Sequence, residues 1–365
     1  TDTANPIAKL FANLPFGRVN QYTANVTATQ TLFSPRLGGA LRVASRFESA
    51  TRFTLGEQIA ETEFQIRSAY VRALLARELE ASAREAVAQA QRFLDQERLR
   101  LSTGAGSELD VLRAEVSLEN LRPQLVDAQN AAATSTLDLK RLVNVPLATP
   151  LSLTTRLDAP SAAAPGSMDP SAVASERAAV HAEEEQVQIA DELVKLAHSA
   201  YIPAVDFKMS FGRLMYPQQT FGLNGTDWLT DWNAAITLKV PIFNGFKRGA
   251  EVSQARIGLR QEQYRLAQLR EAVQLQYEQA VGERERAAAS ITARQRTVDQ
   301  AQRVYDLTVL RYDQGLASQL EVSDARLSLL QARANRAQAI AQYHIADAGV
   351  QRARGVSSAA LSQVR

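Results

Sequence analysis

Two stretches of this 365-residue chain repeat each other at a fixed spacing, and that duplication limits the fold more than any other feature. Arg100, Gly104, Ser107, Leu109, Val111, Ala114, Ser117 and Leu118 recur 211 positions later as Arg311, Gly315, Ser318, Leu320, Val322, Ala325, Ser328 and Leu329, and Asp110 is answered by Glu321. An upstream set agrees at 210 positions. Val26-Thr27, Leu32-Phe33 and Gly39-Ala40 match Ile236-Thr237, Ile242-Phe243 and Gly249-Ala250. Two features held at one separation in both copies argue against chance. The chain reads as a tandem duplication with a unit of roughly 210 residues.

Each unit opens on alternation. Over Gln21 to Phe33, apolar Tyr22, Ala24, Val26, Ala28 and Leu32 interleave with Thr23, Asn25, Thr27, Thr29 and Thr31, the period of a half-buried strand. In the second unit Trp232, Ala234, Ile236, Leu238, Val240 and Ile242 alternate with Asn233, Thr237 and Lys239. A third stretch sets Val205, Phe207, Met209 and Phe211 against Asp206, Lys208 and Ser210. Tyr216 to Asp231, with Pro217, Gly222, Asn224 and Gly225, reads as the loop between these last two strands.

Corners at Ser34-Pro35 and Asn244-Gly245 precede long proline-free runs, Arg36 to Ser102 and Phe246 to Asp313, rich in strong helix formers. About 65 residues at 1.5 Å each make a helix of roughly 100 Å. Each run ends at a short glycine-bearing turn and returns, as Glu108 to Val143 and Gln319 to Arg352. Pro123 is expected to kink the first return helix. Ser171 to Ser199 reads as one further helix. The organisation is therefore 1–157 for the first repeat, 158–170 for a Pro/Ala/Ser/Gly-rich linker, 171–353 for the second repeat and 354–365 for a tail.

Composition removes several classes of function. The 41 basic and 39 acidic side chains nearly cancel, so no basic surface for nucleic acid is expected. No cysteine is present, and the three histidines, His181, His198 and His344, have no ligand-like spacing. No nucleophile motif, phosphate loop or metal cluster appears; an enzyme, a cofactor or a metal site is not expected. There is no run of about 18 apolar residues to cross a membrane as a helix. The chain starts at Thr1 without Met and reads as processed or truncated.

A strand of about 10 residues with this alternation suits a transmembrane barrel, apolar to lipid and polar to a lumen. Phe33, Trp228, Trp232, Tyr22 and Phe243 would suit its aromatic girdles. An ordinary half-buried soluble sheet shows the same pattern. The helices carry close-packing alanines (Ala86, Ala88, Ala90; Ala332, Ala334, Ala337, Ala339, Ala341) and apolar stripes such as Leu55, Ile59, Ile66, Ala69 and Ala73. On their own they favour a soluble coiled-coil scaffold, and the strand pairs between them shift the balance. Three strands neither cover such helices nor close a barrel; closure across several protomers resolves both.

The order strand, corner, long helix, glycine turn, return helix, duplicated in one chain, resembles the TolC-like outer-membrane efflux family. Leu238-Lys-Val-Pro-Ile-Phe-Asn-Gly245 resembles its strand-end corner, Thr103-Gly104-Ala105 and Gln314-Gly315-Leu316 its hairpin tips, and Ile202-Pro203 the approach to its third strand. The likeness covers Gln21 to Val356. It implies a mixed α/β membrane protein: a homotrimer whose four strands per protomer build a 12-stranded antiparallel β-barrel in the outer-membrane lipid of a Gram-negative bacterium, continued into the periplasm by a long α-helical coiled-coil barrel. One strand is then missing here, and Thr1 to Val19 would be the extracellular loop after it. Such a protein conducts passively for an efflux or type I secretion system, with a periplasmic adaptor and an inner-membrane transporter as partners and no nucleic acid.

The same resemblance assigns the expected sites. Glu321 and Asp324, at i and i+3 inside the second tip, would ring the periplasmic aperture, six carboxylates in three copies; Asp110 and Arg113 are their first-unit counterparts. Read without the family, the two acids are solvated residues that suit a helix start. Tyr312 would donate its hydroxyl to Asp110 to hold the entrance shut. A basic residue found in some members two past the turn glycine is here Ala317. The tips, Thr103, Gly104, Ala105, Gln314, Gly315 and Leu316, are expected to dock the adaptor.

Overall fold

The computed structural model describes residues 21–160, 168–216 and 228–355. The expected loop at Thr1 to Val19, most of the 158–170 linker, the middle of the Tyr216–Asp231 loop and nearly all of the tail lie outside them. Two compact units are present, one of residues 1–48 and 185–264, the other of residues 49–184 and 265–365.

The first unit holds three strands, β1 (Tyr22–Phe33), β2 (Ala204–Met215) and β3 (Leu229–Lys239). β3 starts inside the stretch expected to be loop, and it stops at Lys239 because Pro241 has no amide to continue the ladder. The sheet is antiparallel throughout, in the order β1-β2-β3. Val26 faces Phe211 and Phe211 faces Trp232; Ala28, Met209 and Ala234 form the next row. Along the middle of the sheet the register therefore gathers Val26, Ala28, Phe207, Met209, Phe211, Trp232, Ala234 and Ile236 on one face and Thr27, Thr29, Lys208, Ser210 and Asn233 on the other. Toward the far end the separation fades, with Arg213 on the first face and Leu214 and Leu229 on the second. Leu32 is the extra residue of a bulge between Thr31 and Phe33. Every residue of β3, and all of β1 after Tyr22, is exposed.

Beneath the sheet's ends, Gly39 admits a neighbour that no other residue would. A Cβ there would lie 2.9 Å from the Leu196 side chain. Arg42 pairs with Glu192 at 2.7 Å beside that contact.

Four long helical segments supply the second unit: α1 (Pro35–Ser102, from residue 49 onward), α2 (Glu108–Leu142), α5 (Lys247–Asp313, from residue 265 onward) and α6 (Gln319–Ala353). α3 (Pro170–Glu176) and α4 (Ala178–His198) lie between them in sequence. The two copies agree closely in length, strand, long helix and return helix measuring 12, 68 and 35 residues against 11, 67 and 35. α2 stays helical on both sides of Pro123.

Each long helix packs antiparallel on its return. Ala90 and Leu94 meet Ala114 and Leu118, while Ala69 and Ala73 meet Leu139. Ala287 and Ile291 meet Ala339, Ile340 and Tyr343. Leu94 and Leu118 are each 2 % exposed, and such burial stabilises by about 2 kcal/mol per side chain. The alanines bring the backbones together.

The single helix expected over Ser171–Ser199 is broken. Arg177 adopts an extended backbone (φ −75°, ψ 133°) between α3 and α4. Its buried guanidinium donates to Glu57 at 2.7 Å and to Gln276 at 3.0 Å. Nothing local breaks the helix there; the gain is the ion pair with α1 and the bond to α5. Residues 143–158, after α2, form a strap. Arg77 donates to the Leu153 and Thr155 carbonyls, Lys140 to that of Leu147, and His344 Nε2 to that of Asp158.

Candidate aperture at the hairpin tips

Both hairpins turn by the same device. In the first, the Gly104 amide donates to Leu101 O and that of Ala105 to Arg100 O; in the second, Gly315 donates to Tyr312 O and Leu316 to Arg311 O. These paired bonds need a residue in the left-handed region after the helix, and Gly104 (φ +76°) and Gly315 (φ +74°) supply it. This is why the glycine position survives in both copies.

Serine then starts each return helix. Ser107 Oγ accepts from the Leu109 amide. Ser318 goes further, accepting from the Glu321 amide at 3.3 Å while Glu321 Oε1 takes the Ser318 amide at 3.0 Å. The Ser318 amide and hydroxyl bonds hold the exposed Glu321 carboxyl below its ordinary 4.5. Glu321 is thus tied into a capping box. Asp324 is exposed and, among the described residues, has no side-chain partner. Asp110 and Arg113 stand 3.9 Å apart on the α2 surface.

Tyr312 departs from expectation. Its hydroxyl donates to Glu97 at 2.8 Å, not to Asp110. Glu97 is 2 % exposed, and the Arg100 guanidinium lies 3.7 Å from the same oxygen and over the Tyr312 ring at 5.0 Å. Glu97 is the more deeply buried of the two carboxylates, Asp110 being half-buried and turned to Arg113, and burial strengthens a bond to a charged acceptor. Burial, then the Glu97 bond and charge, push the Tyr312 phenol far above its usual range, so it remains a donor. Phe93 tilts on the Tyr312 ring at 5.9 Å and receives the Arg326 guanidinium over its own ring at 5.1 Å. The cluster joins α1 to α5 and α6 and borders a cavity of about 630 Å³. Glu97 escapes sequence reasoning because its counterpart 211 positions later is Thr308, so the duplication does not mark it.

No group of three or more His, Asp or Glu side chains among the described residues is placed to hold a metal. No described helix is long and apolar enough to cross a membrane. A sheet with Val26, Phe211 and Trp232 on one face and Thr27, Ser210 and Asn233 on the other, followed in each repeat by a long helical hairpin, is the arrangement expected of the outer-membrane efflux family. The profile of the outer membrane efflux protein family matches residues 10–145 and 170–356, and the chain belongs to that family.

Protein CyaE of Bordetella pertussis is 25 % identical over 316 residues, covering 84 % of this chain and 65 % of the relative. The solvent efflux pump outer membrane protein SrpC of Pseudomonas putida is 25 % identical over 235 residues, 62 % of this chain and 47 % of SrpC. The chain spans just under two thirds of the first relative and about half of the second. Among solved structures, the open-state MtrE outer membrane channel of Neisseria gonorrhoeae superposes with TM-score 0.75 at 17 % identity, covering 95 % of this chain and 83 % of that one. CusC gives 0.74 at 17 % identity, over 96 % and 86 %. These fix the fold. The family is one of outer-membrane channels, not of enzymes.

Proposed function

We propose that the protein is a passive exit duct, trimeric, that conducts solutes outward for an efflux or secretion system. The observation that carries this reading is the sheet. Val26, Phe211 and Trp232 on its apolar face and Thr27 and Asn233 on its polar face are exposed, and β1 and β3 each present an edge without a partner among the described strands. Lipid on one face, a water-filled lumen on the other and neighbouring copies at the edges satisfy all three, as a closed barrel of twelve strands would. The repeats at 1–157 and 171–353 would contribute two strands each, the fourth strand lying outside those described. Exposed Leu109, Leu112 and Val116 on α2, and Val304, Leu307 and Leu310 on α5, form stripes that fit helix packing between copies.

At the tips, Asp324 and the capped Glu321 would ring the aperture, with Asp110 and Arg113 beside them. The Tyr312–Glu97 bond would hold the two hairpins together in the closed state. Thr103 to Ala105 and Gln314 to Leu316 would receive a periplasmic adaptor that an inner-membrane transporter drives.

Single-channel recording in planar bilayers tests the duct. A cation-selective conductance, larger or less selective in the Glu321→Ala, Asp324→Ala variant, is expected. Folded protein that inserts into vesicles and never conducts would sink the reading in favour of a non-conducting scaffold.

A further inference from the structure

Where β1 and β3 end and β2, α1 and α5 begin, the first unit encloses a second cavity of about 570 Å³. Four cations line it, Arg36, Lys239, Lys247 and Arg248, against two carboxylates, Asp206 and Glu251. The carboxylates are partly engaged: Asp206 accepts from Thr31 at 2.8 Å, and Glu251 lies 3.8 Å from Lys247. Arg36, Lys239 and Arg248 have no carboxylate partner among the described residues.

Arg248 is the strongest indication. It is 8 % exposed, its Nη1 donates to the Pro241 carbonyl at 2.9 Å, its guanidinium lies 5.0 Å over the Tyr201 ring, and its Nε has no acceptor. A buried guanidinium without a counter-charge is costly and calls for an anion. The helix ends agree. Neither α1 nor α5 has an acid in its first turn, and both place bases there instead, opposite to what the helix dipole favours. Two positive helix ends and unpaired guanidinium and ammonium groups around one cavity suit an oxyanion.

We propose that this cavity binds an oxyanion of phosphate or sulfate size, with Arg248 as its fixed base and Arg36, Lys239 and Lys247 closing around it. Thr31, Asp206 and Lys239 belong to the polar face of the sheet, which assigns the anion to a water-borne solute, not to a lipid headgroup. The site itself does not rest on the duct reading, since binding is measurable whether or not the protein conducts; its assignment to a water-borne solute does.

The test is calorimetric titration of the purified full chain with sodium phosphate at constant ionic strength, against sodium chloride. Saturable phosphate binding is expected. It should weaken at least tenfold in the Arg36→Gln, Lys239→Gln variant, both positions being exposed and compatible with folding, and stay unchanged in Lys208→Gln, outside the cavity. Equal responses to phosphate and chloride, or binding unchanged in the double variant, would overturn the site. Co-sedimentation with phosphatidylglycerol vesicles that is lost in the double variant, without binding of free phosphate, would overturn its assignment to a soluble anion.

Discussion

The Tyr312 hydroxyl donates to a carboxylate oxygen of Glu97 at 2.8 Å across 215 positions of chain, linking a residue near the end of one long helix to one near the end of the other. Tyr312→Phe leaves Glu97 buried with Arg100 alone. We expect a loss of about 1–3 kcal/mol, the scale of a bond to a charged acceptor. A double-mutant cycle with Glu97→Gln checks it; a coupling energy near zero would show the contact to be incidental. In bilayers the same variant should spend more time open.

Acid should loosen the second tip. The folded-state pKa of Glu321 lies below the ordinary 4.5, so its capping contribution is complete above about that pH and is lost as pH falls through the lowered value. Thermal melts of the wild type and Glu321→Gln should therefore differ at pH 7 and converge as the pH falls below the lowered pKa of Glu321. A constant difference across that range would contradict this assignment.

Gly104→Ala and Gly315→Ala each meet no neighbour within 4 Å of the added carbon, so any cost is conformational. About 1–2 kcal/mol per site is expected from the left-handed backbone. Melting midpoints measure it, and an equally stable alanine variant would argue against the glycine-specific turn.

Arg177→Ala removes the buried partner of an ion pair whose other member, Glu57, is only half-buried. Breaking a fully buried pair costs about 3–5 kcal/mol, which is an upper limit here. Denaturant titration reads the loss, and Arg177→Met, which restores apolar volume, should recover part of it.

The two faces of the sheet should respond differently to charge. Val26→Lys, on the apolar face, should depress folding into lipid vesicles by about 2–4 kcal/mol, whereas Thr27→Lys, on the polar face, should be nearly neutral. Equal effects at the two positions would remove the lipid-facing assignment.

Much of this was legible from local chemistry. Period-two alternation located β1 and β2 within a residue at each start, and the glycines at 104 and 315 marked the helix ends because only left-handed backbone closes those turns. What stayed hidden depends on distant partners. Glu176, Arg177 and Ala178 are good helix formers, and the break among them exists only because Glu57 and Gln276 reach Arg177 from other helices. Leu229 to Asp231 resemble loop until Leu214, Arg213 and Gly212 pair with them. At the tip, Glu97 looks like any surface acid of a charged helix; its burial comes from α5 and α6.

The nakedness of the sheet has a kinetic side. With every residue of β3 exposed, and nearly all of β1, these two strands have no apolar layer from the described residues of their own unit to slow opening. In water their amide protons should exchange with deuterium well ahead of those in the helical hairpins. In a bilayer the order should reverse, since opening there would strand backbone groups in hydrocarbon. The solvent, as much as the chain, then decides which part of this protein is its most durable.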